Sequence, residues 1–261
     1  MKKYILGFLL LLCNNIVAQE LIVGSTAVPH AEILEFAKPI LEKKGIELKI
    51  IVFNDYILPN KALYSKDIDV NFFQHTAYLN QQLKDNTEYK FAVLGAVHIE
   101  PMGLYSKRYK NISLIQNGDT ILFSNSVADR GRVLSLLAKA GLITLKPNVP
   151  VVNLDISDIV SNKKQLVFKN DVDPAMLPKA YLTDEVALLV INTNYALEAN
   201  LNPIKDSLFL EDSKSDYSNI LVVRSGEETR TEIKELRAVL NSPEVQKFIE
   251  DKYQGAIVPV K

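Results

Sequence analysis

The 261-residue chain contains one cysteine, Cys13, close to its start. Everything downstream therefore has no disulfide, no thiol nucleophile and no cysteine-built metal site, and its stability rests on a packed core. A charge excess is also missing. Thirty basic residues stand against 31 acidic ones, for a formal net charge of -1, so no basic surplus points to a nucleic-acid partner. Catalytic signatures are absent: there is no G-x-S-x-G, no P-loop, no G-x-G-x-x-G and no H-E-x-x-H. The three histidines, His30, His75 and His98, have no partners at metal-ligand spacing, and the carboxylates are scattered as on solvated faces. We therefore expect no enzyme, no metal and no cofactor. Internal repeats, low-complexity stretches and long linkers are lacking too.

What is present is ample apolar material, 48% of residues with 23% charged, enough for one large domain or two lobes. The start is a separate segment. Met1-Lys2-Lys3 is followed by the apolar run Ile5 to Leu12, which is too short for a bilayer at ~20 residues per crossing but suits a signal peptide over residues 1-18. Two endings stay open. Acylation at Cys13 would leave a lipid anchor, although Leu12 is larger than the small residue usual there. Cleavage after Ala18 would leave Gln19 first, although Ile16 is also large; the mature chain would then carry -3. Either ending implies export to the periplasm or cell envelope.

From Leu21 onward, apolar β-type runs alternate with helix-period segments. Leu21-Gly24, Leu48-Phe53, Ile68-Phe73 and Phe91-Ala96 read as strands. Ile33-Leu41 (with Pro39 inside), Lys61-Lys66 and Ala77-Lys84 read as helices. After Pro101-Ser106 the rhythm restarts. Ile121-Phe123, Val151-Leu154, Leu166-Phe168, Val186-Ile191 and Asn219-Val223 are expected as strands. Arg132-Ala140, a segment from Tyr195, Thr231-Leu240 and Glu244-Lys252 are expected as helices. This pattern predicts an α/β fold with mostly parallel sheets. Two lobes would share strands across a hinge, lobe one being residues 19-104 plus about 210-261 and lobe two about 105-209. The ligand cleft would lie between them.

Polar and aromatic residues gather at the predicted strand ends: Phe53-Asn54-Asp55-Tyr56, Phe72-Phe73-Gln74-His75 with Tyr78 one turn on, Arg132 opening a helix after Gly131, Asn192, and Asn219 after Tyr217. An amino-acid site needs such parts. A planar guanidinium pairs a carboxylate, asparagine supplies carbonyl oxygens, and aromatics make an apolar pocket. Each residue also has a plainer reading: aromatics as core, Arg132 as a surface charge, and the asparagines as caps or turns.

The same segments resemble the methionine-binding lipoproteins of the NlpA/MetQ type, the substrate-binding parts of methionine ABC importers. The resemblance is carried by Val28-Pro29-His30-Ala31-Glu32-Ile33-Leu34, Phe53-Asn54-Asp55-Tyr56-Ile57-Leu58-Pro59-Asn60, Asp67-Ile68-Asp69 through Phe73-Gln74-His75 to Tyr78-Leu79, Gly131-Arg132, Ala187 to Ala196, and Tyr217-Ser218-Asn219. It implies a two-lobed periplasmic-binding fold of type II-like form that closes on one amino acid. Arg132 would clamp the carboxylate, Asn192 and Asn219 would bond the ammonium and carboxylate ends, and Tyr56, Phe73, His75 and Tyr78 would line the side-chain pocket. The implied partners are methionine or a similar small amino acid, an importer permease and its ATPase, with the receptor a monomer. Other ligands within the fold, including a methionine-containing dipeptide, stay open, and so does a periplasmic enzyme using His75 as base. One departure is local. Where the family commonly has N-D-P-x-N, this chain reads Asn125-Ser126-Val127-Ala128-Asp129, placing Asp129 where it would compete for Arg132 or reshape the cleft edge.

Overall fold

The computed structural model describes residues 19–212 and 217–260. The signal-peptide segment, Cys13 and Ala18 lie outside them. In chain order the elements are β1 (Gln19–Thr26), α1 (Glu32–Glu42), β2 (Ile46–Phe53), α2 (Leu58–Ser65), β3 (Val70–His75), α3 (Thr76–Asp85), β4 (Phe91–Ile99), β5 (Gly103–Tyr105), β6 (Thr120–Ser124), α4 (Val127–Lys139), β7 (Thr144–Leu145), β8 (Ile159–Ser161), β9 (Val167–Val172), α5 (Leu177–Leu182), β10 (Leu188–Ile191), α6 (Thr193–Glu198), α7 (Pro203–Asp206), β11 (Ser207–Leu210), β12 (Ser218–Arg224), α8 (Thr231–Leu240), α9 (Pro243–Tyr253) and β13 (Val258–Pro259).

The strands form two main sheets. The first has six strands in the order β13-β4-β12-β3-β1-β2, the second five in the order β11-β5-β10-β6-β9, and β7 and β8 make a small ribbon. Each main sheet has its own apolar clusters. On the first, Leu21, Val23, Leu48 and Phe72 pack with Ile33, Leu34 and Leu41 of α1, Leu236 of α8 and Ile249 of α9, while its other face holds Leu63, Ile68 and Leu79. On the second, Ile121, Phe123, Leu188 and Val190 pack with Leu134 and Leu137 of α4, and Leu189 and Ile191 pack on the far face with Leu177 and Tyr195. Complete burial of one such side chain stabilises by about 1.5–3 kcal/mol. The chain is thus an α/β fold of two main sheets, each covered by helices around its own core.

The sheets are mixed, and that corrects the expectation of mostly parallel pairing. β1, β2 and β3 pair in parallel, as do β10, β6 and β9. But β12 returns from the second sheet and inserts antiparallel between β3 and β4, and β5 runs antiparallel between β10 and β11. A strand that returns after a crossing has no helix to reverse it, so its direction is set by the crossing. β5 and β11, of three and four residues, are too short to carry a periodic signal in the sequence.

Two further differences bear on the cleft. Val151–Asn153 is a short 3-10 turn, not a strand; it follows Pro150, and Val152 is exposed. Helix α4 begins at Val127, so Arg132 stands inside the helix instead of opening it. That start lets Asp129 and Arg132, three apart, share one helical face. Gly131 between them abuts the Val151 turn so closely that a Cβ there would lie 1.7 Å from the Val151 carbonyl oxygen.

β3 is buried at every residue, as befits a central strand covered on both faces. Its buried polar side chains are satisfied by one another. Asn60 of α2 donates to Gln74 (3.0 Å) and accepts from Asn71 and Gln74 (both 2.8 Å), which fastens α2 across the strand. This holds the end of β3, and hence Phe73 and His75, in place. No helix among the described residues is long and apolar enough to cross a membrane.

Candidate ligand site between the sheets

One cavity of about 400 Å³, counting its mouth, lies where the ends of the two sheets meet. All seven residues named from sequence line it: Tyr56, Phe73, His75, Tyr78, Arg132, Asn192 and Asn219. Gln74, Glu100, Asp129, Thr193 and Asn194 line it as well. The aromatic part comes from the first sheet's side. The Tyr56 ring lies 6.1 Å from Phe73 and 5.9 Å from Tyr78, and Phe73 and Tyr78 meet edge to face at 5.9 Å. Tyr78 donates to the Tyr56 carbonyl (2.8 Å), and the Tyr56 hydroxyl donates across the cleft to Asn194 Oδ1 (2.5 Å). Burial pushes both phenols above their usual range, so they remain hydroxyl donors.

His75 does more than line the aromatic pocket. The backbone N–H of Tyr78 donates to its Nδ1 (3.2 Å). The ring proton therefore sits on Nε2, which donates to Asp129 Oδ1 (3.2 Å). Asn192 donates its Nδ2 to the other carboxylate oxygen of Asp129 (3.1 Å). Burial raises the Asp129 carboxyl, but the hydrogen bond from His75, the Arg132 charge and the Asn192 donor outweigh it and hold the pKa below the usual aspartate value. Asp129 is thus an ionised, buried carboxylate on the cavity wall. It does not take the Arg132 fork.

Arg132 is engaged elsewhere. Its Nε and Nη2 form a two-pronged pair with Glu211 (Nε at 3.1 Å to both oxygens, Nη2 at 2.5 Å), and Nη2 also donates to the Glu100 carbonyl (2.7 Å). Tyr217 lies flat against the guanidinium at 4.4 Å. Glu100 and Glu211 stand on the two segments that pass between the sheets, after β4 and after β11. Arg132 therefore pins both crossings together. Its Nη1 has no protein acceptor among the described residues.

Behind the wall lies a second polar cluster. His98 Nε2 donates to Glu100 Oε1 (2.7 Å). His30 Nε2 faces two acceptors, Glu100 Oε1 at 3.2 Å and Asn219 Oδ1 at 3.1 Å, so it carries the proton while Nδ1 accepts from the Thr26 hydroxyl (2.7 Å). Burial drives the His98 pKa down to about 3. It drives His30 down to about 4 against the opposing pull of Glu100, and it raises Glu100. The ligating atoms of His30, His98 and Glu100 fall within 4.8 Å of one another. As a metal centre the cluster fits poorly. A His98 ligating through Nε2 would carry its proton on Nδ1, and that buried atom has no partner. The two histidines instead hold Glu100 and Asn219 in position.

Sequence reasoning missed Glu100, Asn194 and Glu211. Glu211 and Glu100 lie outside the strand-end clusters, and only the crossing topology brings them to Arg132. Asn194 carried a signal, standing two residues after Asn192 in the run Ile191-Asn192-Thr193-Asn194.

Residues 21–261 match the family described as NlpA lipoprotein. The chain belongs to that family. Among its relatives, the methionine-binding lipoprotein MetQ of Bacillus subtilis is 45% identical over 273 residues, covering 100% of this chain and 99% of that protein. A nutrient binding protein from Burkholderia cenocepacia, solved bound to methionine, superposes with a TM-score of 0.87 at 37% identity, covering 92% of this chain and 100% of the other. An ABC transporter periplasmic substrate-binding protein from Coxiella burnetii superposes at 0.86 with 35% identity, covering 92% and 100%. These neighbours share the fold of periplasmic substrate-binding proteins, two-lobed in form, and the cavity lies where the two sheets of this chain meet.

Proposed function

We propose that this chain is the substrate-binding receptor of an ABC importer, capturing methionine in the cleft and delivering it to a membrane permease driven by its ATPase. The observation that carries the reading is the single cavity wall on which Tyr56, Phe73 and Tyr78 stand beside a buried guanidinium and paired asparagines. A thioether is polarizable and gains roughly 0.3–1.5 kcal/mol from each good aromatic contact. The guanidinium Nη1 of Arg132 receives the carboxylate, while Asn192 and Asn219 bond the polar ends. Lobe one is residues 19-104 with about 210-261, and lobe two is about 105-209; the ligand closes them by hinge bending. The receptor works as a monomer in the periplasm or cell envelope, free or held through Cys13.

Against the alternative of a periplasmic enzyme with His75 as base, both of its ring nitrogens are committed, Nδ1 to Tyr78 and Nε2 to Asp129. The test is a thermal-shift and calorimetric panel of amino acids and short peptides on the mature chain, with mass spectrometry of whatever co-purifies. Methionine is expected to give the largest shift and no substrate to be turned over. A larger shift from another amino acid or from a methionine-containing dipeptide, with none from methionine, would overturn the ligand assignment.

A further inference from the structure

The protein's own hydrogen bonds leave the three cleft asparagines with fixed and different free ends. Asn192 spends its Nδ2 on Asp129, so its carbonyl oxygen is what it can offer a ligand. Asn219 has its Oδ1 facing the His30 Nε2 proton, so it offers an N–H. Asn194 has its Oδ1 taken by the Tyr56 hydroxyl, and its Nδ2 is a buried donor with no partner in a residue that is 2% exposed and lines the cavity. A buried amide donor left without an acceptor costs about 1–3 kcal/mol, and such a group on a cavity wall is a place where a ligand acceptor belongs. On the other side, Asp129 is 2% exposed and holds one donor on each oxygen. Each of those oxygens retains a further lone pair.

We infer that the cleft is built as two poles of fixed sense: Asp129 with the Asn192 carbonyl oxygen receives the ligand's ammonium, and the unpartnered Asn194 Nδ2, with Asn219 Nδ2 and Arg132 Nη1, receives its carboxylate. The assignment rests on the amino-acid reading above and adds two residues to it, Asp129 and Asn194. It also divides the work of the asparagines. His30 and His98 act as positioning residues, since the proton His30 gives to Asn219 determines which end of that amide the ligand meets.

The poles are tested with three ligands on the mature chain: methionine, its α-hydroxy analogue, which lacks the ammonium, and methioninamide, which lacks the carboxylate. In the wild-type protein each analogue should bind at least about 30-fold more weakly than methionine, since a hydrogen bond to a charged group carries more than a neutral one. This arm needs no variant and does not depend on a variant folding. Asp129→Asn should weaken methionine by roughly 10- to 100-fold while leaving the α-hydroxy analogue within about threefold. Asn194→Asp, which sets a carboxylate against the ligand's own, should weaken methionine far more than methioninamide. Equal losses for a ligand with and without the charged group in question would make the residue structural and overturn its place in a pole. If the wild-type chain binds methionine but not the analogues in the expected order, the poles alone fall. If it binds none of the three, the amino-acid reading falls and takes the poles with it.

Discussion

Two buried imidazole–carboxylate groupings stand back to back at the cleft, and they behave oppositely. At His75–Asp129 the carboxyl is held below its usual pKa. At His30–His98–Glu100 the carboxyl is raised and both imidazoles are pushed down, to about 4 and about 3. All of these residues are buried, so burial alone does not explain the difference. Asp129 takes one donor on each oxygen, from His75 and Asn192, and lies close enough to Arg132 for its charge to count. Glu100 has both imidazoles converging on the same oxygen and also feels the Arg132 charge and a backbone N–H from Asn194, yet its desolvation prevails. The balance of desolvation against donors and neighbouring charge decides whether a buried carboxylate keeps its charge.

The largest effect that bears on this contrast should come from Arg132→Ala. It removes the positive charge that favours an ionised Asp129 and leaves the partly buried Glu211 without its partner. Breaking such a pair lowers stability by about 3–5 kcal/mol, which thermal melts should show as a lower Tm, and losing the charged hydrogen bond to the ligand carboxylate costs about 1.5–3 kcal/mol, so calorimetry should show methionine affinity reduced by roughly 10- to 100-fold. Unchanged affinity would remove Arg132 from the site. Gly131→Ala is next. The Cβ has no room against the Val151 carbonyl, and overpacking of this kind costs about 1–3 kcal/mol, which denaturant titration would measure; a neutral result would mean that the Val151 turn yields freely.

Acidification separates the two groupings more finely. Folded-state pKa values of about 4 for His30 and about 3 for His98 lie below the ordinary histidine value of 6.5. The unfolded chain therefore binds protons first as pH falls. The stability these residues contribute is complete above pH 6.5 and is lost progressively down to about pH 4 and 3. Glu100, with its raised pKa, offsets part of that loss. Asp129 adds stability that is lost only at lower pH, as its carboxyl protonates below the ordinary aspartate range. Melting temperature should therefore fall between pH 6.5 and 4, and a His98→Gln variant should show a flatter profile; parallel profiles would contradict the buried neutral imidazole. The smallest effect is expected from Tyr56→Phe, which loses one hydroxyl bond to Asn194 and about 1 kcal/mol of ligand affinity, a few-fold in Kd. A loss beyond 100-fold would mean that Tyr56 holds the cleft shape itself.

Much of this molecule was legible before any coordinates. The alternating runs located β1 to β3 and α8 within a residue or two of their limits, and β4 at its start with its end three residues short, because each buries a face whose period shows in the sequence. The strand-end aromatics, Arg132 and the asparagines were found as a set, and they share one cavity. What stayed hidden depends on contacts between distant segments. Glu211 is 79 positions from Arg132, and no local pattern marks it. From sequence, Asp129 is expected to compete for Arg132 or to reshape the cleft edge; the helix start at Val127 turns it toward His75 and Asn192.

The sequence by itself determined an exported-type α/β chain without catalytic motifs, its family, and which residue types would face a ligand, because periodicity, composition and motif are local properties of the chain. Only the tertiary structure decided which end of each asparagine is free, which edge of Arg132 is already used, and which buried carboxylate keeps its charge. Those outcomes depend on which donors and acceptors the two sheets bring within about 3 Å of one another, and that is settled when the crossing segments close the fold.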